Sequence, residues 1–184
     1  MDNGSAAYRR FLDGDETALC DVIHTYRASM TAFVRATVHD DTAAEEIVED
    51  VFVKLCVRRP KDKGGASFKT WLFTIARNTA IDYLRRRKET VPAEELFDLE
   101  YAGDDPESAY IKSEQSAAVR ECMDTLSPTH KNVLYLFYYE GFDTASIAKI
   151  IGKSEHNTSA LLYRAKQALK TALEKKGVCD YENR

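Results

Sequence analysis

Residues 68–88 combine aromatic, amide and basic side chains in a pattern suited to binding nucleic acid. Phe68, Leu72 and Ile75 recur at steps of three and four residues, which predicts a helix with one buried face. The opposite face is polar and basic: Lys69, Thr70, Arg77, Asn78, Asp82, Arg85, Arg86, Arg87 and Lys88. Such a helix could lie along a phosphate backbone with its amide side chains near bases. The alternative is a core helix whose charged end is solvated.

A second candidate for DNA binding lies near the carboxy terminus. Residues 144–151 and 155–173 both have helical periodicity, Gly152 suits a tight turn, and Ser154 can cap the second helix. Helix, glycine turn, helix is the pattern of a helix-turn-helix motif, whose second helix enters the major groove. A helical hairpin without DNA-binding function has the same outline.

The residue types needed for catalysis are present but scattered. Four cysteines form no CxxC pair, and four histidines belong to no HExxH-like motif. The sequence contains no nucleophile cluster, acid–base pair or phosphate-binding glycine loop. We therefore predict no catalytic residues, no metal site and no cofactor.

The remaining chain must position the two candidate segments. Periodicity predicts helices over residues 8–12 and 16–38, then a third helix capped by Asp41 or Thr42. The third helix has an acidic face, which on periodicity alone is a solvated surface. It ends at a loop, residues 58–67, in which Pro60 stops the helix. Four cations lie in this loop: Arg58, Arg59, Lys61 and Lys63.

The charge of the chain alternates in blocks. The net charge is −4, but residues 1–52 carry −7, residues 53–88 carry +9, residues 89–121 carry −8 and residues 122–184 carry +2. The basic block coincides with the first candidate segment, so the overall negative charge does not exclude nucleic acid. Alternating blocks indicate separate surfaces for separate partners.

Residues 89–108 lose the helical period and are rich in acidic side chains. We predict a flexible linker of about 20 residues, able to span up to roughly 65 Å when extended. The linker divides an all-helical chain into domains 1–88 and 109–177, followed by a tail, 178–184. No apolar run approaches the ~18 residues of a membrane helix, and no signal peptide is present, so we expect a cytoplasmic protein.

Together these features resemble the bacterial RNA polymerase sigma factors of the small extracytoplasmic-function (ECF) group. The resemblance spans nearly the whole chain and is most specific in residues 46–52, 68–87 and 126–166. It implies a protein that binds core RNA polymerase and directs promoter-specific transcription initiation. The alternatives are a helix-turn-helix regulator that acts without polymerase, a degenerate polymerase-interaction module and, least favoured, an enzyme acting on a polyanion.

The resemblance implies a partner for each surface. In the family the acidic helix docks on the coiled coil of the polymerase clamp, which implies contacts by Glu46, Glu49, Asp50 and Phe52. The basic loop and following helix receive the minus-10 promoter element, through Arg58, Arg59, Lys61, Lys63, Lys69, Arg77, Asn78, Asp82, Arg85 and Arg86. The last helix reads the minus-35 element, through Lys153, Ser154, His156, Asn157, Thr158, Ser159, Arg164 and Lys166.

The resemblance also implies an anti-sigma protein that restrains this chain. The acidic linker is either a self-repelling spacer or an anionic mimic that runs through polymerase channels which otherwise hold nucleic acid. In the recognition helix, Ser159 and Leu161 stand where the family commonly has Lys and Arg.

Overall fold

A computed structural model describes residues 3–61, 66–87 and 114–177, in which all regular secondary structure is helical. The helices are α1 Asn3–Leu12, α2 Ala18–Val38, α3 Asp41–Arg58, α4 Phe68–Arg87, α5 Glu114–Asp124, α6 Pro128–Leu134, α7 Thr144–Ile151 and α8 Glu155–Lys175, with a π-helix at Tyr135–Tyr139. The predicted all-helical fold is confirmed. The predicted linker and tail lie outside the described residues, as does Lys63.

The first four helices pack together, and we refer to them as the amino-terminal domain. α2 packs against α1, α3 and α4, and their apolar faces enclose fully buried side chains that include Phe11, Met30 and Phe33. Tyr8 packs against Phe68 at a ring-centroid distance of 5.2 Å, which joins α1 to the start of α4. This contact holds the end of the basic loop that leads into α4 close to the domain core.

The junction between α2 and α3 differs from the sequence prediction by one residue. His39 has a left-handed backbone with φ 55° and ends α2. Asp40, and not Asp41 or Thr42, caps α3, because its extended backbone lets Oδ1 accept from the Ala43 amide at 3.0 Å. Asp41 is instead the first helical residue, where the positive end of the helix dipole stabilises its negative charge.

Helix α4 is buried on more than one side, which the single-face prediction did not include. Thr70, predicted on the polar face, is only 1% exposed, and its backbone amide donates to Ser67 Oγ at 3.1 Å. Phe73 is fully buried as well. Helix α7 also packs against α4, and Phe142, which precedes α7, lies 5.2 Å from Phe73 between ring centroids.

Local capping residues set the helix ends in the carboxy-terminal part of the chain, which we call the carboxy-terminal domain. Ser127 caps α6, with Pro128 in its first turn, and Asp143 caps α7 by accepting from the Ser146 amide at 2.8 Å. Gly152, at φ 68°, makes the left-handed turn between α7 and α8, and Ser154 caps α8. The helix-turn-helix geometry is therefore present.

Candidate nucleic-acid interface

The acidic side of α3 is an open surface. Glu46, Glu49 and Asp50 are all exposed, and Glu49 forms an ion pair with Arg27 at 3.2 Å. Val53 and Val57 continue the same stripe toward the end of the helix and are 57% and 75% exposed. We call these five acidic and apolar side chains the α3 face: Glu46, Glu49, Asp50, Val53 and Val57.

Phe52, which was assigned to polymerase contact, is not on the α3 face. It is only 6% exposed and belongs to the domain core, so we remove it from the docking set. The sequence analysis did not name the exposed Val53 and Val57, because apolar residues on a helix are ordinarily assigned to the core. Val53 and Val57 follow Asp50 by three and seven residues, a spacing that places all three on the same side of a helix. This spacing is the sequence signal that could have identified the two valines.

The basic loop is anchored at its start. Arg59 has a left-handed backbone, its guanidinium lies 4.8 Å from the centroid of the Phe11 ring, and it pairs with Glu16 at 3.0 Å. The Tyr8 hydroxyl donates to the Pro60 carbonyl at 2.9 Å, and burial raises the pKa of Tyr8 to about 12, so the donor proton is retained. Arg58 and Lys61 are exposed on either side of these anchors.

The exposed side of α4 continues the basic surface. Asn78, Asp82, Arg85 and Arg86 are exposed, and Asp82 accepts from Arg86 Nε through its backbone carbonyl at 3.2 Å. Arg85 lies 4.0 Å from the Asp82 carboxylate, so a surface of mixed charge extends along the last two turns. These four side chains are available to a ligand in the described conformation.

Lys69 and Arg77 are placed differently from the other members of the minus-10 set. Lys69 forms an ion pair of 2.8 Å with Glu140 of the carboxy-terminal domain. Arg77 lies against Gly152, where an added Cβ atom would come within 3.1 Å of the guanidinium. Both predicted DNA contacts therefore lie in the contact between the two domains.

The outward side of α8 carries a row of exposed residues. His156, Ser159 and Tyr163 share this side, and Tyr163 is 65% exposed. Tyr163 was not predicted as a site residue, although it follows His156 by two helical turns. Thr158, which was predicted, is fully buried, and its hydroxyl donates to the Ser154 carbonyl, so we remove it from the set.

One flank of α8 lines a polar cavity of about 310 Å³. Lys153, Asn157 and Arg164 enter it from the helix-turn-helix side, and Thr129 and His130 enter it from the start of α6. Hydroxyl, amide and cationic groups around a concave surface suit a phosphate group. Lys166, by contrast, lies with Nζ 4.0 Å from the centroid of the Phe137 ring.

Comparisons with known proteins agree with this arrangement. Residues 22–90 match the sigma-70 region 2 family, and residues 116–169 match the sigma-70 region 4 family. The RNA polymerase sigma factor YlaC of Bacillus subtilis is 30% identical over 155 residues, covering 82% of this chain and 88% of that protein. The ECF RNA polymerase sigma factor SigM of Bacillus subtilis is 26% identical over 160 residues, covering 87% and 97%. The chain belongs to the ECF group of RNA polymerase sigma factors.

A solved structure supports the fold of this ECF sigma factor. The sigma factor RpoE of Bartonella quintana, crystallised in complex with the anti-sigma factor NepR, superimposes with a TM-score of 0.67 at 21% identity. The match covers 86% of this chain and 98% of that chain. The predicted function, promoter-directed transcription initiation, is confirmed by the family matches, and the alternative of a conventional helix-turn-helix regulator is not favoured.

Sigma factors are transcription initiation factors. The two family matches fall on separate helical parts of the chain, residues 22–90 and residues 116–169. Among the described residues, no helix is both long enough and apolar enough to span a bilayer.

Proposed function

We propose that this ECF sigma factor engages its partners through three separate surfaces: the α3 face for core polymerase, the basic loop with α4 for the minus-10 element, and α8 for the minus-35 element. The observation that carries the proposal is the segregation of exposed charge. The α3 face presents three exposed carboxylates and no cation, whereas the exposed residues from Arg58 to Arg87 are predominantly basic. Opposite potentials on adjoining helices select different partners.

The minus-10 surface combines backbone and base contacts. Arg58, Lys61, Arg85 and Arg86 would neutralise phosphates of an opened strand, which requires only positive charge. Asn78 projects from the middle of the exposed side of α4, where an amide can bond a base edge. Single-stranded nucleic acid is held by such a groove of cations with specific polar side chains.

We propose that α8 reads the minus-35 element from its first turns. His156 and Ser159 lie on the outward side and Asn157 on the flank, all within the amino-terminal part of the helix that faces base edges in this motif. Tyr163 extends the outward side, where its ring can contact an apolar base edge. Lys153 and Arg164, in the polar cavity, would hold the adjoining phosphate.

Removing Arg58 and Lys61, which are exposed on either side of the anchored Arg59, tests the minus-10 surface. For Arg58→Ala with Lys61→Ala, we expect fewer open complexes and a smaller salt dependence, since two phosphate contacts no longer release counterions. The slope of log K against log salt should fall by about 1.4 for a single strand. Open-complex formation by holoenzyme, measured across a salt series, gives this slope.

The matched control removes two exposed cations elsewhere, Arg9 and Lys175. This double alanine variant should keep the wild-type slope. An unchanged slope in the Arg58 and Lys61 variant would show that the loop does not contact promoter DNA.

Asn157 and Arg164 should have different roles at the minus-35 element. Asn157→Ala is expected to cost about 1–3 kcal/mol at one or two base positions, because a bidentate base contact is lost. Arg164→Ala is expected to weaken all sequences about equally, because a phosphate contact carries no sequence information. Binding-site selection with the full chain in holoenzyme distinguishes the two results, and an unchanged selected sequence for Asn157→Ala would exclude it as a base reader.

We further propose that an anti-sigma protein restrains this chain, as NepR accompanies the related RpoE. The exposed α3 face supplies an acidic and apolar surface for such a partner. We assign the protein to the cytoplasm, where polymerase acts, and assign it no catalytic activity, since its role is recognition. Co-purification at native expression levels, with and without the inducing condition, tests the partner.

A further inference from the structure

Helix α1 lies outside residues 22–90, the part of the chain that matches the sigma-70 region 2 family. Its inward side is nevertheless buried, with Ala7, Tyr8 and Phe11 each at most 6% exposed. A ten-residue helix is marginal by itself in water, so packing against α2 and α4 determines where α1 lies. The helix has a fixed place in the domain, and the family match assigns it no role.

Helix α1 approaches α2 closely at Gly4. An added Cβ atom there would collide with the Tyr26 ring of α2, which is buried and lies 5.9 Å from Phe68 between ring centroids. Any side chain at Gly4 would therefore displace either α1 or a buried ring. Toward the other end of α1, Arg10 pairs with Asp21 of α2 at 2.7 Å. Both ends of α1 are thus held against α2.

Two α1 side chains hold the start of the basic loop. The Tyr8 hydroxyl donates to the Pro60 carbonyl oxygen at 2.9 Å. The Arg59 guanidinium lies 4.8 Å from the centroid of the Phe11 ring and pairs with Glu16, in the turn after α1, at 3.0 Å. Arg59 has φ 43°, a left-handed backbone that is unfavourable for residues other than glycine. The contacts from α1 and its turn hold the chain in this conformation.

The same Tyr8 side chain contacts the residues that follow the loop. Its ring centroid lies 5.2 Å from that of Phe68 and 5.6 Å from that of Trp71, both in the first turn of α4. Phe68 and Trp71 lie 5.5 Å apart, so the three rings form one aromatic cluster. Tyr8 therefore joins the two sides of the basic loop, because its hydroxyl binds Pro60 on the α3 side and its ring packs on the α4 side.

The exposed cations of the loop adjoin these fixed positions. Arg58 and Lys61 lie immediately before and after the two residues that α1 holds, and both are exposed. Tyr8 and Phe11 are 2% and 1% exposed, so neither can contact DNA in the described conformation. These two α1 side chains can therefore affect DNA binding only through the conformation of the loop.

We propose that α1 is a positioning element of the minus-10 surface, in which Tyr8 and Phe11 hold the basic loop in the shape that its cations need to bind an opened strand. The inference rests on the proposed minus-10 role of Arg58 and Lys61. A loop that is ordered before binding loses less conformational entropy when the strand arrives, which increases affinity without a new contact. Tyr8 and Phe11 are thus positioning residues for promoter opening.

The test compares Tyr8→Phe with wild type in holoenzyme. The substitution keeps the ring in the aromatic cluster and removes the hydrogen bond to Pro60. The measured quantity is K, the equilibrium constant for open complexes on a promoter fragment that wild-type holoenzyme selects from genomic DNA. We expect K to fall about fivefold. The slope of log K against log salt should keep its wild-type value, because the same phosphates are still neutralised.

A double-mutant cycle distinguishes positioning from general stability. In the Arg58→Ala and Lys61→Ala background, Tyr8→Phe should have no further effect on K, since the two cations that it positions are absent. Ile47→Val is the matched control, because Ile47 is buried near the start of α3, away from the loop at its end. Both Tyr8→Phe and Ile47→Val should lower the thermal midpoint by no more than about 4 °C. Ile47→Val should leave K unchanged in both backgrounds.

A wild-type K for Tyr8→Phe, with K and slope lowered in the Arg58 and Lys61 variant, would overturn the positioning role and leave the minus-10 surface in place. Equal losses for Tyr8→Phe in both backgrounds would also overturn it, because the effect would not pass through the loop cations. A wild-type K and slope in the Arg58 and Lys61 variant would overturn the proposed minus-10 surface itself, and this inference with it.

Discussion

Replacing Glu49 and Asp50 together by lysine is expected to weaken binding to core RNA polymerase by about 100-fold. Both carboxylates are exposed in the α3 face, where a docking partner must be complementary in charge. Reversing them places like charges across the interface, which costs several kcal/mol. A titration of labelled sigma factor with core enzyme measures the affinity directly.

The fold should tolerate this change. The substitution removes the ion pair of Arg27 with Glu49, whose side chains are 55% and 63% exposed, and exposed pairs contribute little to stability. The thermal midpoint should therefore stay close to the wild-type value. Asp13→Lys with Glu174→Lys is the matched control, since both are exposed carboxylates outside α3. Equal affinities for the two double variants would show that polymerase does not dock on the α3 face.

The largest effect on stability is expected for Phe73→Ala, at about 3–5 kcal/mol in the free energy of unfolding. Phe73 is fully buried and contacts an aromatic ring on each side, Phe33 within its domain and Phe142 in the other. Truncation leaves a cavity that neither domain can readily fill. Urea denaturation followed by circular dichroism measures the loss.

A double-mutant cycle with Phe142→Ala isolates the part of this stability that joins the domains. Phe73 and Phe142 lie edge to face at 5.2 Å, a geometry worth about 0.5–1.5 kcal/mol beyond burial. The two substitutions should therefore be non-additive by that amount. Strict additivity would mean that the rings do not touch in solution and that the domains are apart.

Boundaries set by local chemistry could be predicted from the sequence. The bounds of α7, Thr144–Ile151, and the start of α8 at Glu155 agree with the prediction. Gly152 and Ser154 determine these ends through a left-handed backbone and a cap within three residues. The cap of α3 was misplaced because three consecutive residues, Asp40, Asp41 and Thr42, all have side chains able to cap, and backbone geometry selects among them.

Features that depend on distant packing could not be predicted. The polar face assigned to α4 assumed one buried side, but the carboxy-terminal domain covers Phe73 and holds Lys69 from a second direction. No residue propensity predicts the π-helix at Tyr135–Tyr139. It brings Tyr135 and Glu140 together through a hydrogen bond from the Glu140 backbone amide to the Tyr135 carbonyl oxygen. Membership of an interface between domains is not encoded in helical periodicity.

The sequence could not show which candidate site residues are buried, because burial does not follow from residue type alone. Thr158 and Phe52 have suitable chemistry and lie in the expected segments, yet both are buried in their own domains. Val57 is 75% exposed although valine is ordinarily found in cores, and Tyr163 is 65% exposed. Helical periodicity predicts which side of a helix a residue lies on only to within about one position. An error of one position is enough to assign a buried residue to the exposed side, or the reverse.

Transcript mapping with reconstituted holoenzyme tests the central claim most directly. Core RNA polymerase is incubated with genomic DNA and nucleotides, with and without this chain, and the 5′ ends of the transcripts are sequenced. We predict discrete start sites that require the chain, share upstream minus-10 and minus-35 sequences, and disappear with the Glu49→Lys and Asp50→Lys variant. Transcript ends that are the same with and without the chain would contradict promoter-directed initiation by this protein.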